Sequence, residues 1–357
     1  MSDNQKMQPS KAKQAKIEAF DPNGMAMSSE LFGLPFDLED SPIVVFPVPW
    51  EVTVSYEAGT ASGPSAIRKA SWQVDLLDPY ISNAWKMGIY MVEPSSKLWN
   101  KSDKFREKAE KYLDLLAEDI NHPKLEGERE KINGSCQEMV EWVEKKTASL
   151  LASGKKVVLL GGDHSTPLGY LKALAGQEGS FGILQIDAHA DLRNAYEGFT
   201  YSHASIMYNA LKEDSISHLV QVGIRDYCEE ELHFIEANPN RITTFFDRGL
   251  AHQRFSGKTW AQQVEEIIAA CPEKVYLSFD IDGLKPEYCP NTGTPVAGGL
   301  EPEEVLYLLE KLVESGRTIV GMDLNEVAPG ENEWDANVAS RILFRLCNLL
   351  GKSNGFL

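Results

Sequence analysis

The alternation of apolar runs with mixed stretches is the strongest structural signal along the chain. Eight short runs are almost wholly apolar and rich in Val, Ile and Leu. Runs of this length and composition are typical of strands in a parallel sheet that helices cover on both faces. We therefore predict eight strands, which begin near Ile43, Gly88, Lys156, Phe181, His218, Ile242, Lys274 and Thr318.

Stretches with helical periodicity separate most of these runs. In residues 135–154, apolar side chains recur at intervals of three and four, Ser135 and Glu138 have the spacing of a capping box, and Gly154 is a typical stop. The segments WAQQVEEIIAAC and EPEEVLYLLEKLVES show the same period. This alternation predicts an α/β fold, with a doubly wound, mostly parallel eight-stranded sheet in a single domain over residues 41–357.

Two regions fall outside this alternation. Residues 1–40 are polar and contain Met, Ser and Pro, so we expect an N-terminal arm there rather than a core element. The charged region of about 97–131 contains the segment FREKAEKYLDLLAEDI, which predicts an inserted helix followed by a loop. Insertions of this kind often cover or reshape a functional site, or build a subunit interface.

The composition is that of an ordinary globular protein, and it narrows the range of partners. Of the 357 residues, 43% are hydrophobic, and 53 acidic against 35 basic residues give a formal net charge of -18. This acidic excess disfavours nucleic acid and anionic membrane surfaces as partners. No apolar run reaches the roughly 18 residues that a membrane span needs. The polar start lacks a signal-peptide core, and the cysteines form no CxxC pair, so we expect a cytoplasmic protein.

Three of the predicted strands end in clusters of Asp and His. The sequence GGDHS follows the third strand, DAHAD follows the fourth, and SFDID ends the seventh. Because ligands bind at the carboxyl ends of strands in open parallel sheets, we expect the three clusters to meet at one edge. A single Asp after a strand is ordinarily a turn or helix cap. Three clusters with DxH and DxD spacing indicate one shared site instead.

Such a cluster of carboxylates requires positive charge, which divalent metal ions can supply. Two ions would balance the charge of four carboxylates, and they could lower the pKa of a shared water. Carboxylate-rich ligation with some imidazole suits Mn²⁺ first, and Ni²⁺ is chemically possible. Structural zinc is disfavoured because no cysteine lies near the motifs. The six candidate ligands are His164, Asp187, His189, Asp191, Asp280 and Asp282.

The three motifs resemble those of the ureohydrolases, the family of arginase and agmatinase. GGDH, DAHxD and SFDxD stand in the family's order, and residues 47–71 contain a similar G-x-x-x-G-P-x-x-I-R segment. The resemblance implies an arginase-like fold, two metal ions per chain and assembly as a homotrimer or homohexamer. It assigns His164, Asp187, Asp191 and Asp280 to one ion, and Asp187, His189, Asp280 and Asp282 to the other, so that Asp187 and Asp280 would bridge.

The resemblance also implies roles for residues outside the ligand set. His203, in the segment SHAS, would relay a proton to the departing amine, and Glu326, in DLNEV, would hold the substrate's guanidinium. Asp191 would steady the attacking oxygen as well as bind metal. A buried Glu326 would be costly without a cationic partner, and a guanidinium is a suitable one. Arg193 and Asn194, in the loop after DAHAD, are further candidates for binding the substrate.

The loop after DAHAD bears on the choice of substrate. It reads LRNAYEGFTYSHAS and lacks the T-x-x-x-S-x-N-x-H run of arginases, whereas it is similar to the loop of prokaryotic agmatinases. We therefore expect hydrolysis of agmatine to putrescine and urea. Guanidine, 4-guanidinobutyrate and formimidoylglutamate are the alternative substrates. A single-zinc deacetylase-like hydrolase and a non-catalytic scaffold are alternatives of other classes, which the complete set of six candidate ligands disfavours.

Overall fold

A single parallel sheet organises the computed structural model, which describes residues 10–357. All the strand pairings in this sheet are parallel. The strand interiors are buried because helices cover both faces, as their apolar sequences predict. The eight strands are β1 (Ile43–Val48), β2 (Ile89–Met91), β3 (Lys156–Gly161), β4 (Phe181–Ile186), β5 (Ile216–Ile224), β6 (Ile242–Phe246), β7 (Lys274–Asp280) and β8 (Thr318–Asn325).

Eleven α-helices of the described part of the chain surround the sheet. Alternate residues of the central strands contribute to two separate hydrophobic clusters, one on each face, with Val158 on one side and Val157 on the other. The helices are α1 (Lys11–Ala19), α2 (Gly63–Ala70), α3 (Ser96–Glu118), α4 (Leu125–Ala152), α5 (Leu168–Ala175), α6 (Ile206–Ala210), α7 (Glu229–Ala237), α8 (Asp247–Phe255), α9 (Trp260–Ala270), α10 (Pro302–Glu314) and α11 (Trp334–Ser353). None of the helices within residues 10–357 has the length and apolarity to span a membrane.

The strand order determines where the site lies. Across the sheet the order is β2-β1-β3-β8-β7-β4-β5-β6, so β8 and β7 lie between the sequence neighbours β3 and β4. The four central strands are therefore β3, β8, β7 and β4. Their carboxyl ends carry GGDHS, NE, SFDID and DAHAD respectively. The predicted sheet and its shared edge are confirmed.

The charged insertion differs from its prediction, because it forms two helices rather than a helix and a loop. The helix predicted to begin near Ser135 begins ten residues earlier, at Leu125. Ser135 is buried inside it, and its hydroxyl has no hydrogen-bond partner, so the predicted capping box is wrong. The apolar positions that continue the helix toward its start, Leu125 and Ile132, are sparse in a charged run. Because these apolar positions are so sparse, the helical periodicity of residues 125–134 could not be recognised in the sequence.

Part of the expected N-terminal arm belongs to the core. Leu31, Phe32, Leu34 and Phe36 are buried, and the ring of Phe32 contacts that of Phe344 at 5.1 Å between centroids. These apolar residues are too few and too irregularly spaced to predict an element. They are buried because they pack against helices of the domain. The division between an arm and a domain at residue 40 stays a prediction.

Candidate metal centre and active site

The first group of predicted ligands surrounds the imidazole of His164. Its Nδ1 lies 3.0 Å from Asp187 Oδ2, 3.0 Å from Asp191 Oδ2 and 3.3 Å from Asp280 Oδ2. All four side chains are buried. They follow β3 and β4 or, as Asp280 does, end β7, so three strand ends bring them to one point.

The second group lies beside the first and shares one residue with it. His189 Nδ1 is 3.0 Å from Asp282 Oδ2 and 3.7 Å from Asp187 Oδ1. The donor atoms of His164, Asp187 and Asp280 lie close enough to hold one ion, and so do those of Asp187, His189 and Asp282. Asp187 thus takes part in both groups. The bridging role of Asp280 stays a prediction.

Backbone amides fix the orientation of the carboxylates. Oδ1 of Asp187 accepts a hydrogen bond from the amide of His189 (2.7 Å), and Oδ1 of Asp280 accepts one from the amide of Asp282 (2.9 Å). Asp282 Oδ1 in turn accepts one from the amide of Ala188, at 3.0 Å. In each case the other oxygen, Oδ2, faces an imidazole. The i to i+2 spacing of the motifs produces the contacts of Asp187 and Asp280, because the amide two residues on is a near donor, whereas Ala188 reaches Asp282 from the neighbouring motif.

Two buried residues behind His164 were missed by the sequence analysis as part of the site. His164 Nε2 lies 2.8 Å from the hydroxyl of Ser278, which donates to Asp323 Oδ1 at 3.1 Å. Since the hydroxyl proton is used toward Asp323, we infer that Ser278 accepts from an Nε2–H of His164. When His164 is neutral, this tautomer has its lone pair on Nδ1, which faces the carboxylates. Ser278 stands in the quoted SFDID motif, which was the available signal.

The ionisation of the buried carboxylates reflects their crowding. Burial raises the pKa of Asp280 well above its usual range, and the charges of Asp282 and Asp187 act in the same direction. Burial and then Asp187 raise the pKa of Asp191 to about 7. Burial also acts to raise the pKa of Asp187, but the neighbouring imidazoles of His164 and His189 outweigh it and hold that pKa below its usual range. The ionised carboxylates of the two groups therefore repel one another unless cations are present.

The donor set fits divalent metal ions. His164 Nδ1 is buried without a hydrogen-bond partner and faces three carboxylate oxygens. A buried polar atom in this state is costly unless a ligand engages it. One imidazole with several carboxylates in each group is the chemistry of Mn²⁺ and similar ions. The predicted clustering of the six candidate ligands thus agrees with the geometry, while their individual roles stay predictions.

Glu326 lies directly beside the first group. Its side chain is buried, and Oε1 accepts a hydrogen bond from the backbone amide of His164 at 2.7 Å. Burial, followed by the charge of Asp163, raises the pKa of Glu326 well above its usual range. Its φ of 62° places it in the left-handed region, which is uncommon for a glutamate. Such local strain is typical of functional positions, and Asp191 has a similar φ of 55°.

His203 begins a short 3-10 turn that ends at Ser205. Its ring contacts the ring of Tyr196 edge-on, with centroids 6.0 Å apart. Burial, and then the charges of His189 and His164, lower the pKa of His203 to about 3. Burial and the nearby imidazoles therefore favour the neutral form of His203.

The two other candidates for substrate binding lie on the loop after DAHAD. The guanidinium of Arg193 stacks over the ring of Tyr196 at 4.9 Å, and its Nε lies 3.8 Å from Glu231 Oε2. Asn194 is exposed. Arg193 is thus partly neutralised by Glu231, and a direct contact of either residue with substrate stays a prediction.

Comparisons with known proteins place the chain in a family. The family model described as Arginase family matches residues 41–348, which is most of the chain. The chain belongs to the arginase family. The predicted resemblance to ureohydrolases is therefore confirmed, and so is the enzyme class, hydrolases that act on C–N bonds of linear amidines.

Individual relatives are similar over most of their length. N(1)-aminopropylagmatine ureohydrolase of Synechocystis sp. is 31% identical over 318 residues, which cover 88% of this chain and 90% of that protein. Agmatinase of Proteus mirabilis is 33% identical over 298 residues, covering 83% and 82%. The structure of agmatine ureohydrolase from Thermoplasma volcanium is similar with a TM-score of 0.69 at 21% identity, covering 96% of this chain and 99% of that chain. This last likeness confirms the arginase-like fold.

Proposed function

We propose that the protein hydrolyses a linear guanidino compound to urea and an amine, with agmatine as its first substrate. The observation that carries this proposal is the buried carboxylate of Glu326 beside the His164 group. Relatives that are 31–33% identical are named agmatinase and N(1)-aminopropylagmatine ureohydrolase, which supports agmatine or a longer derivative. The location in the cytoplasm and the trimer or hexamer stay predictions.

The metal ions of this proposal would be held by the two groups that share Asp187. Mn²⁺ is our first choice and Ni²⁺ the second, because both accept carboxylate and imidazole ligands. When bound, paired divalent ions supply Lewis acidity and make water nucleophilic at neutral pH. The remaining chemistry falls to side chains of the chain itself.

Glu326 would hold the substrate in this mechanism. A guanidinium is planar and presents two parallel N–H groups, which match a carboxylate fork. In the absence of such a cation, burial disfavours the charged form of Glu326, as its raised pKa shows. Because the carboxylate is held by the amide of His164, a guanidinium bound to it lies directly beside the metal ligands.

His203 and Asp191 would act on the reacting atoms. Collapse of the tetrahedral intermediate breaks a C–N bond, and the departing nitrogen requires a proton. A neutral imidazole at His203 can accept a proton on one nitrogen and give one from the other, so it is suited to this transfer. Asp191 would accept a hydrogen bond from the attacking oxygen and thereby orient it.

Release of urea from a panel of guanidino compounds tests the proposal. Agmatine, 4-guanidinobutyrate and guanidine are assayed for urea, and formimidoylglutamate is assayed for formamide, with protein loaded separately with Mn²⁺ and Ni²⁺. An acetylated amine is included, because its hydrolysis with one Zn²⁺ per chain would favour the deacetylase class. Absence of any turnover and of any bound metal would favour a scaffold. No urea from any guanidino compound with either metal would overturn the proposal.

A matched pair of variants then tests the role of Glu326. Glu326→Gln removes the charge at nearly constant size, so it should reduce kcat/KM for agmatine by about 100-fold or more while metal content stays unchanged. The control is Glu331→Gln, at an exposed glutamate five residues further on. Wild-type kcat/KM in Glu326→Gln would contradict the assignment.

A further inference from the structure

The hairpin of α3 and α4, which contains the charged insertion, contacts two loops of the active-site edge. From α3, the hydroxyl of Ser102 accepts a hydrogen bond from the amide of Glu51 (3.0 Å), and the guanidinium of Arg106 donates to the carbonyl of Val54. From the same helix, Tyr112 Oη donates to the carbonyl of Glu197 at 3.0 Å. The hairpin therefore touches both the loop after β1 and the loop that leads to His203.

Asn133, on α4, makes the most specific of these contacts. Its Nδ2 donates to the carbonyl of Gly198 at 3.0 Å, and its Oδ1 accepts from the amide of Thr200 at 2.9 Å. One side-chain amide thus satisfies a backbone acceptor and a backbone donor two residues apart, as a neighbouring strand would. Both partners are backbone groups of residues 196–200, and backbone donors and acceptors removed from water need such partners.

The turn that Asn133 holds is tight and strained. Tyr196 and Phe199 exchange two backbone hydrogen bonds, at 3.2 and 2.8 Å, and Glu197 between them has a φ of 52°. Gly198 follows with a φ of 85°, and a Cβ there would lie 2.7 Å from Cδ of Arg129. A non-glycine residue in the left-handed region persists only where the surroundings impose it. The hairpin is the element that surrounds this turn.

The turn is connected to the proton-transfer residue by one aromatic side chain. Tyr196 begins the turn, and its ring contacts the ring of His203 edge-on. The other end of the turn is also held by the hairpin, because the ring of Tyr112 packs on the ring of Phe199 with centroids 5.1 Å apart. A shift of the turn would therefore move Tyr196, and with it the imidazole that Tyr196 contacts.

We propose that the α3–α4 hairpin positions His203 for proton transfer, with Asn133 and Tyr112 as the positioning residues that act through the turn at residues 196–200. The inference rests on the proposed function, since it assigns the hairpin a part in that reaction. It gives the charged insertion a role: the two helices stabilise a catalytic loop from outside. Tyr196 transmits the position of that loop to the imidazole.

Steady-state kinetics of Asn133→Ala on agmatine test this role. Misplacement of a catalytic group can reduce rates by about 10- to 100-fold, so kcat should fall by about tenfold or more. The KM for agmatine should change by less than about twofold, and metal content should not change. Tyr112→Phe keeps the packing on Phe199 but removes one hydrogen bond, so it should lower kcat in the same direction by a smaller factor. Gln137→Ala, on an exposed position of α4, is the matched control and should retain wild-type kcat.

A double-mutant cycle separates positioning from general stabilisation. If Asn133 acts through His203, Asn133→Ala should have no further effect on kcat in a His203→Ala background, because the group to be positioned is gone. Multiplicative effects in the double variant would overturn the inference. A lowered melting temperature with wild-type kcat in Asn133→Ala and Tyr112→Phe would overturn it too.

Hydrogen exchange keeps the test independent of the substrate. Asn133→Ala should accelerate amide exchange within residues 196–205 and leave the strands of the sheet unchanged. Unchanged exchange in that segment would overturn the inference even if the enzyme is active. Failure of the wild-type protein to release urea, with faster exchange in Asn133→Ala, would instead overturn the proposed function and the assigned reaction step.

Discussion

Replacement of Ser278 by alanine provides a direct test of the metal centre, because it removes the outer hydrogen-bond partner of the candidate ligand His164 without replacing any ligand. The hydroxyl of Ser278 lies 2.8 Å from His164 Nε2 and donates to Asp323 Oδ1. In Ser278→Ala the Nε2–H of His164 loses its acceptor in a buried site. Asp323 keeps the amide of Phe279 and the side chain of Asn325 as donors. The loss therefore falls mainly on His164.

The expected magnitude follows from these contacts. Removal of an outer partner of a ligating histidine typically weakens metal binding by about 10- to 100-fold, which corresponds to about 1.4–2.7 kcal/mol. The same range is expected for one lost hydrogen bond to a group that bears charge. The effect should be confined to the ion held by His164, since the hydroxyl of Ser278 bonds to His164 and Asp323 and not to His189. The second ion should keep its wild-type affinity.

Equilibrium dialysis at a series of free Mn²⁺ concentrations, followed by elemental analysis, measures both affinities. Wild type should load two ions per chain, and Ser278→Ala should lose one of them at concentrations that saturate wild type. Ser340→Ala is the matched control, because its buried hydroxyl bonds to the carbonyl of Asn337 at 2.9 Å in α11, away from the site. Equal weakening of both ions, or no weakening, would refute the assigned tautomer and its support.

Three further predictions concern the bridge, the protons and the core. Asp280→Asn should remove both ions in the same dialysis, as Asp187→Asn should, and full metal content in Asp280→Asn would contradict the bridge. The carboxylates hold the pKa values of His164 and His189 well above the usual range although burial opposes this, so metal must displace protons and should bind more tightly as pH rises; calorimetric heats that do not vary with buffer ionisation enthalpy would contradict this. Leu34→Ala should reduce the free energy of unfolding by about 2–5 kcal/mol in urea titrations, because the side chain is fully buried. A change below about 0.5 kcal/mol is typical of surface positions and would contradict the burial of Leu34 in the core.

The ligands could be predicted from sequence because local spacing and general topology both constrain them. Asp187, His189 and Asp191 follow a buried strand at alternate positions, and the carboxyl ends of parallel strands share an edge. Those two rules suffice to predict that these three residues lie close to those of GGDHS and SFDID. Glu326 was found through the family resemblance, and its burial agrees with the physical argument made for it.

Contacts between distant segments could not be predicted in this way. Asn133 and Gly198 are 65 positions apart, and nothing in the charged run around Asn133 distinguishes it from a solvated helix face. The predicted start of α4 was wrong for the same reason. Leu125 and Ile132 are buried by segments that are distant in sequence, and these contacts exist only in the folded domain. The burial of residues 31–36 likewise depends on surfaces that other parts of the chain supply.

The position of β7 and β8 in the middle of the sheet has a consequence for how the protein is made. If strands pair as they are made, synthesis through β6 yields two separate three-stranded halves, β2-β1-β3 and β4-β5-β6, whose inner edges have no partner yet. The last third of the chain must enter between them before the sheet is continuous. Until then β3 and β4 expose pairing edges to other nascent chains. The site is thus complete only when β7 and β8 have joined the two halves, and a chain released between Asp282 and Thr318 would carry all six candidate ligands without β8, the strand that joins β3 to β7.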